Sequence, residues 1–572
     1  MRRKPIALAL LSATVMSAGL SAATGPQPDD PLVVITAHYG SRVQLQRIAS
    51  HFQHLMIDDK TRTIRVEATH DEMVALRRQG IDARIDDDAT RRLRASEAQM
   101  QGVETQTISG YPCYRTVDET YATMDQLVQA RPALARIIDI GPTWQESRQA
   151  GTGHRMRVLR LTNAATDSLY PNKPSMVIFA SIHAREYTPA ELLTRFAESL
   201  VNGYGTDAEA TWLLDNFRFH LVLQANPDGR EKAETGLSWR KNVDDSNGAC
   251  SATTYGIDLN RNFPYLWNTV ADGSSSDACA STYRGPQPLS EPEAQNLLRY
   301  VAGTPNASGV YPGGALPNQT LAVAPSVRKI GAPATSLPRP ITGMFIDLHS
   351  YNQVVLWPWA YSTTPARDAA ALGALGRRMA WFNGYKPEQW ADMYAADGTT
   401  GDTLYARLGT PSYTIELGAS FFESCSTFEG DTLGKNLATL RYAARNLAAP
   451  YVFPSGPDTA TIGVAPATVS RGTPVVVTAR VDDSRFNQSN GTEAVQAIVG
   501  ARAYVDTQPW SPAPRGTYAM HASDGAFNAT GETVTVSIPT AGLAQGRHVV
   551  AVRGTDASNH AGTPAAVYFT VQ

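Results

Sequence analysis

An α/β architecture is expected for the middle of this 572-residue chain, because apolar, β-branched runs there are followed by segments of helical period. Two other textures flank it: a short alternation of strand-like and helix-like stretches before residue 111, and, after residue 453, β-branched runs separated by Gly, Asn, Asp and Pro. The predicted fold is therefore a mixed α/β domain with a central sheet and flanking helices, preceded by a small αβ unit and followed by a β-sandwich. The length suits two or three domains, and the boundaries expected are 1–23, 24–108, 109–453 and 458–572.

In chain order, a basic start (Arg2, Arg3, Lys4) and a small, apolar stretch at 6–23 read as a secretory signal peptide, against the alternative of an uncleaved anchor. No other membrane span is found. The αβ unit is expected as strands at 31–36 and 63–66 with helices at 45–56 and 71–79, followed by a basic stretch at 91–94 suited to processing. Residues 176–180 read as a buried strand, and the period from Pro189 onward as a helix. Residues 302–340, rich in Pro, Gly, Ala and Ser, read as a surface insertion, or as a lid. Residues 341–348 form a second apolar run, 412–417 a third, and the tail strands are expected at 474–479, 533–537 and 548–552. The tail reads as a surface- or polymer-binding module, a removable extension or a passive domain. Its Asp482-Asp483 pair is either a calcium ligand or a solvated turn.

His183 and Glu186 follow the first run and His349 follows the second, so both groups stand at strand ends, where open α/β sheets place active sites. Two imidazoles and a carboxylate with one open position is a catalytic zinc donor set. Taken alone, His-x-x-Glu is a common pattern on helix surfaces and in turns. Glu416 is the candidate general base, since a carboxylate inside an apolar strand is out of place unless it is paired or working. The formal net charge of −3 argues against nucleic acid as a partner.

Taken in order, these motifs resemble the zinc carboxypeptidases of the carboxypeptidase A and B type, in the form of a secreted, bacterial-type zymogen. The likeness runs from about residue 111 to about residue 453. It implies one Zn(2+) per catalytic domain, held by His183, Glu186 and His349, with Glu416 catalytic. It makes Arg240 the oxyanion stabiliser, Arg185 a substrate-side arginine, and Asn260 with Arg261 the holders of the substrate's terminal carboxylate. Tyr394 would close over bound peptide, and Gly401 would line the base of the side-chain pocket. Taken singly, Arg240 and Arg261 could be salt-bridge partners, Tyr394 a loop aromatic and Glu416 an edge-strand carboxylate.

The activity implied is hydrolysis of the last peptide bond of peptides and proteins, outside the cell or in the periplasm. A glycine at 401 gives neither an acidic nor an aliphatic pocket base, so broad or apolar preference is expected, with Asp397 as a nearby charge for basic side chains. A cell-wall peptide hydrolase on the same scaffold is the alternative, and a catalytically dead binding protein a third. The resemblance also implies an inhibitory prodomain at 24–108, against a permanent accessory domain. Cys250 and Cys279 match a disulfide position of the family, leaving Cys113 and Cys425 as the other pair; free buried thiols are the weaker reading in a secreted chain. The separation of Glu186 from His349, 163 positions (349 − 186), exceeds the family's usual one, and the excess falls at 302–340.

Overall fold

Residues 33–52, 55–78, 80–91, 107–320 and 341–572 are described in this computed structural model. The expected leader, residues 92–94 of the basic stretch and residues 321–340 of the expected insertion lie outside them. The N-terminal unit is an antiparallel sheet of β1 (Val33–His38), β2 (Met56–Asp58), β3 (Thr63–Ala68) and β4 (Ala83–Ile85), in the order β2-β3-β1-β4, with helices Arg42–His51 and His70–Arg78. The first helix is capped by Ser41, whose side chain accepts from the Gln44 N–H.

The central sheet has eight strands: β5 (Ala135–Pro142), β6 (Arg155–Leu161), β7 (Ser175–Ala180), β8 (Arg218–Val222), β9 (Met344–Ser350), β10 (Val354–Trp357), β11 (Lys386–Gln389) and β12 (Ser412–Leu417). Their order is β11-β10-β12-β9-β7-β8-β6-β5. The β12-β9-β7-β8 block is parallel, whereas β10 joins β12, β6 joins β8 and β5 joins β6 in antiparallel fashion. Both faces of β7, β9 and β12 are covered, which is why their sequences are runs and not alternations.

The period of two still sorts their side chains. Met176, Ile178, Met344, Ile346, Leu348, Tyr413 and Ile415 pack with the helices Val117–Ala130, Tyr187–Gly203 and Leu433–Arg445. Val177, Phe179 and Phe345 pack on the other face, with Pro292–Ala302 and Thr400–Leu408. Asp347 and His349 on β9, and Thr414 and Glu416 on β12, share the parity of that second face. The parallel ladder sets Asp347 beside Thr414 and His349 beside Glu416.

The tail comprises β13 (Asp458–Ala465), β14 (Thr468–Val469), β15 (Val475–Asp482), β16 (Ile498–Val505), β17 (Thr517–Ala519), β18 (His521–Ala522), β19 (Gly531–Ile538), β20 (Gly546–Asp556) and β21 (Ala565–Val571), in sheets β13-β15-β19-β18 and β14-β21-β20-β16-β17. Val475, Val477, Ala479 and Val481 alternate into the space between the sheets, where Phe569 and Val550 meet them.

The outer face of the second sheet is docked on the α/β domain: Trp510 stacks on Phe217 with ring centroids 5.5 Å apart, and meets Trp212 edge-on. Arg378, fully buried, donates to the Pro454 and Gly456 carbonyls and to Asp483. Asp483 is thereby committed to an ion pair, and Asp482 accepts from the Ser484 N–H and hydroxyl. Among the described residues, no helix is long and apolar enough to cross a membrane.

Candidate metal centre and substrate pocket

His183 and Glu186 lie on the turn from β7 into the helix Tyr187–Gly203. Ser181 opens that turn at φ 58°, a left-handed conformation costly for a non-glycine residue and found preferentially at functional sites. Glu186 occupies the helix N-cap position, yet its side chain caps nothing. It turns instead to His183, with Oε1 2.7 Å from Nδ1, and to His349, with Oε2 3.2 Å from Nδ1, while the Ser350 N–H donates to Oε2. The two imidazole Nδ1 atoms are 3.0 Å apart, and one donor atom from each of the three residues lies within 4.8 Å of the others, all buried. Nitrogen lone pairs and a carboxylate converging without solvent suit a cation, and the set is the one zinc takes in catalytic sites. Burial and then the Arg240 cation push His183 down, favouring the neutral imidazole that ligation needs. At His349 burial also lowers, but Asp347 and then Glu186 outweigh it and the net displacement is upward.

Glu416 is 2 % exposed and stands on β12 between β10 and β9. It is therefore interior to the sheet, which removes the edge-strand reading. Arg240 donates from Nε and Nη2 to Asp258 Oδ2, at 3.2 and 2.8 Å, and its Nη1 is 3.7 Å from Glu186. Asp258 Oδ1 lies 3.1 Å from His183 Nε2. Burial alone would raise the Asp258 carboxyl, but Arg240, then His183, hold it well below the usual carboxylate range. Asp258 thus orients the candidate ligand His183 and Arg240 together, a role that sequence reasoning missed although the residue lies two positions before Asn260.

Asn260 and Arg261 fall in a 3-10 turn, Leu259–Arg261, which Asp258 opens by accepting the Asn260 N–H. Arg261 is fully buried; Nη1 donates to the Asn260 carbonyl, while Nε and Nη2 have no hydrogen-bond partner. Asn260 Oδ1 accepts from the Thr400 N–H at 2.8 Å, and its Nδ2 is 3.2 Å from His349 Nε2. Arg185 donates to Ser238 and lies with its guanidinium carbon 4.0 Å from the Phe421 ring centroid. Burial and Arg240 push its pKa down, opposed by Glu72, Glu186 and Glu67.

Tyr394 is buried in a cluster it shares with Ile35, Leu45, Ile48 and Ile64 of the N-terminal unit. The backbone around it is held by the same unit: Arg42 donates to the Asp392 and Met393 carbonyls, and Gln46 bonds both the Ala395 N–H and its carbonyl. Beside Gly401, a β-carbon would meet only Thr414 Oγ1, at 4.0 Å. Asp397 accepts from the Thr269 and Val270 N–H groups and from Ser274 Oγ, which hold its carboxylate against that loop. Asp402 accepts from the Ala360 and Tyr361 N–H groups, and burial still pushes its carboxyl up to about 7. The disulfides join Cys250 to Cys279, around this loop region, and Cys113 to Cys425.

The family described as zinc carboxypeptidase matches residues 120–311 and 325–427, just over half of the chain. Carboxypeptidase A1 of Rattus norvegicus is 28 % identical over 337 residues, covering 57 % of this chain and 68 % of the relative. A zinc carboxypeptidase of Saccharothrix mutabilis subsp. capreolus is 30 % identical over 327 residues, covering 54 % of this chain and 63 % of that one. In fold, the chain is similar to carboxypeptidase A from Helicoverpa armigera, at a TM-score of 0.55 and 20 % identity, over 73 % of this chain and 98 % of the other. A buried His-Glu-His donor set on the expected strand ends, inside the matched region, agrees with these likenesses: the chain belongs to the zinc carboxypeptidase family and is a zinc metallocarboxypeptidase.

Proposed function

We propose that the protein is a secreted exopeptidase that removes the C-terminal residue of peptides and proteins, with broad or apolar preference. The observation that carries this reading is Arg261: a guanidinium withdrawn from water with two donors unspent costs several kcal/mol unless an anion completes it. A terminal carboxylate is the planar, bidentate partner that such a fork fits. The Gly401 wall, bordered by Thr414, offers space and no charge, and the Asp397 carboxylate is held against the loop that carries Ser274, which supports the broad or apolar preference.

One zinc ion, held by His183, Glu186 and His349, would supply Lewis-acid polarisation of the scissile carbonyl and acidify the attacking water. Glu416 takes the proton from that water and returns it to the leaving amine. Arg240, aimed by Asp258, donates to the oxyanion as it develops. Arg261 and Asn260 anchor the chain end and so set which bond is cut. Arg185 lines the approach on the substrate side, and Tyr394 closes over the bound peptide.

Residues 24–108 are read as a prodomain. Its Asn352–Leu55 and Tyr351–Glu67 hydrogen bonds, and its grip on the Tyr394 loop, support a block over the substrate side. Secretion is supported by two disulfides and the leader-like start.

The test is mass spectrometry of free and C-terminally amidated peptides ending in Phe, Leu, Lys or Arg, with and without a zinc chelator, before and after removal of the N-terminal unit. Stepwise loss from free peptides alone, abolished by chelator and enhanced by that removal, is expected; internal cuts, or strict Lys/Arg preference, would overturn the reading. Glu416→Gln is expected to retain zinc at full stoichiometry while turnover falls about 10²–10⁴-fold; near-normal turnover removes Glu416 as the base.

A further inference from the structure

We infer that Asp347 is a positioning residue of the metal and substrate site: it fixes which nitrogen of His349 faces the metal, and in doing so leaves the Asn260 amide free for the substrate's terminal carboxylate. The inference rests on the proposed ligand set. Asp347 is fully buried on the interior strand β9, two residues from His349 and on the same face. Its Oδ2 is 3.2 Å from His349 Nε2 and accepts the Thr400 hydroxyl at 2.5 Å, while Oδ1 has no hydrogen-bond partner. A carboxylate so placed, with a neutral hydroxyl and an imidazole nitrogen as its partners, is costly unless a cationic assembly offsets it. His349 turns Nδ1 toward His183 and Glu186, so with Nδ1 acting as ligand its single proton sits on Nε2 and is donated to Asp347.

The consequence reaches Asn260. Its Oδ1 is fixed by the Thr400 N–H, which settles the amide orientation and points Nδ2 toward His349 Nε2, 3.2 Å away. A protonated Nε2 cannot accept from Nδ2, so the Asn260 N–H groups are not consumed there and remain for a carboxylate beside Arg261. If Asp347 were absent, Nε2 could instead accept from Asn260, placing the proton on Nδ1, where it opposes ligation, and diverting the amide. Thr400 spans both halves: its hydroxyl holds Asp347 and its N–H holds Asn260. The signal was present in the sequence, because Asp347 and His349 are two apart in a strand, but the partner Thr400 lies 53 positions further on.

The experiment is zinc competition with a chromophoric chelator on the full-length protein, with KM and kcat for a free C-terminal peptide measured in parallel. Asp347→Asn is expected to raise the zinc dissociation constant about 10–100-fold, as loss of a ligand's outer partner does, and to raise KM. Thr400→Val is expected to weaken zinc several-fold, and Thr400→Ser, which restores the hydroxyl, to return it to the wild-type value. Melting temperatures in excess chelator separate these effects from misfolding; should Asp347→Asn fail to fold, the Val and Ser pair carries the test alone. Wild-type zinc affinity in Asp347→Asn or in Thr400→Val, or no rescue by Ser, overturns the inference while leaving the ligand set standing. A wild-type protein that takes up no zinc overturns the ligand set itself, and the inference with it.

Discussion

Asp258 is the residue on which two proposed roles meet, since one oxygen faces His183 and the other receives the Arg240 fork. A neutral side chain there keeps the volume but removes the charge that aims the guanidinium. Asp258→Asn is therefore expected to lower kcat by about 10²-fold, the scale of a misplaced or missing oxyanion donor, with a smaller change in KM. A kcat within twofold of wild type, in steady-state assays of the zinc-loaded enzyme, would show that Arg240 is aimed by something else. By contrast Asp397 and Asp402, the acids nearest Gly401 in sequence, each accept from two backbone N–H groups and hold loops together.

At the scale of elements, the segment that presents Arg240 rests on the N-terminus of the helix Pro292–Ala302. Asn242 donates to both Glu291 Oε2 and Glu293 Oε2, and Glu293 also accepts the Trp144 N–H. Burial first, then repulsion from the Glu293 and Asp244 carboxylates, pushes Glu291 up to about 8, and burial pushes Glu293 up to about 7. These groups hold protons in the folded state that the unfolded chain, titrating near 4.5, has released. Folded protein therefore binds more protons across that window, and stability falls as pH rises from about 4.5 to about 8, with the full cost present above it. Glu291→Gln removes one of the two titrations. The melting temperature of the variant is expected to fall less than that of wild type over that range and to exceed it at pH 8; parallel curves would mean that the pair is ionised at no cost.

Over the whole molecule, the tail is built into the α/β domain by a large aromatic contact and a buried ion pair. Trp510 fills the space against Trp212 and Phe217, the Gln508 side chain donates to Asn216, and Arg378 reaches across to Asp458 and Asp483. Trp510→Ala is expected to destabilise the protein by about 3 kcal/mol through the cavity and lost contact, read as a lower denaturant midpoint in a single transition that both domains share. Two separate transitions, with the catalytic one unmoved, would show the domains to be independent.

Most of the architecture was legible because burial on both sheet faces demands continuous apolar runs: residues 176–180 and 412–417 stood out as strands, and the tail's alternation stood out as a sandwich. The candidate metal-binding set was legible because His, Glu and His at strand ends match zinc chemistry. Helix limits moved by a few residues where caps decided them, as at Ser41, and His349 proved to lie within β9 rather than after it. What the sequence could not reveal was pairing across the fold. Asp258 and Asp347 look like ordinary acids in a chain, and only tertiary structure brings one to His183 with Arg240 and the other to His349 with Thr400. The physical reason is that apolar periodicity is written locally, residue by residue, whereas a buried charge is defined by its partners, and those are supplied by segments far apart in the chain.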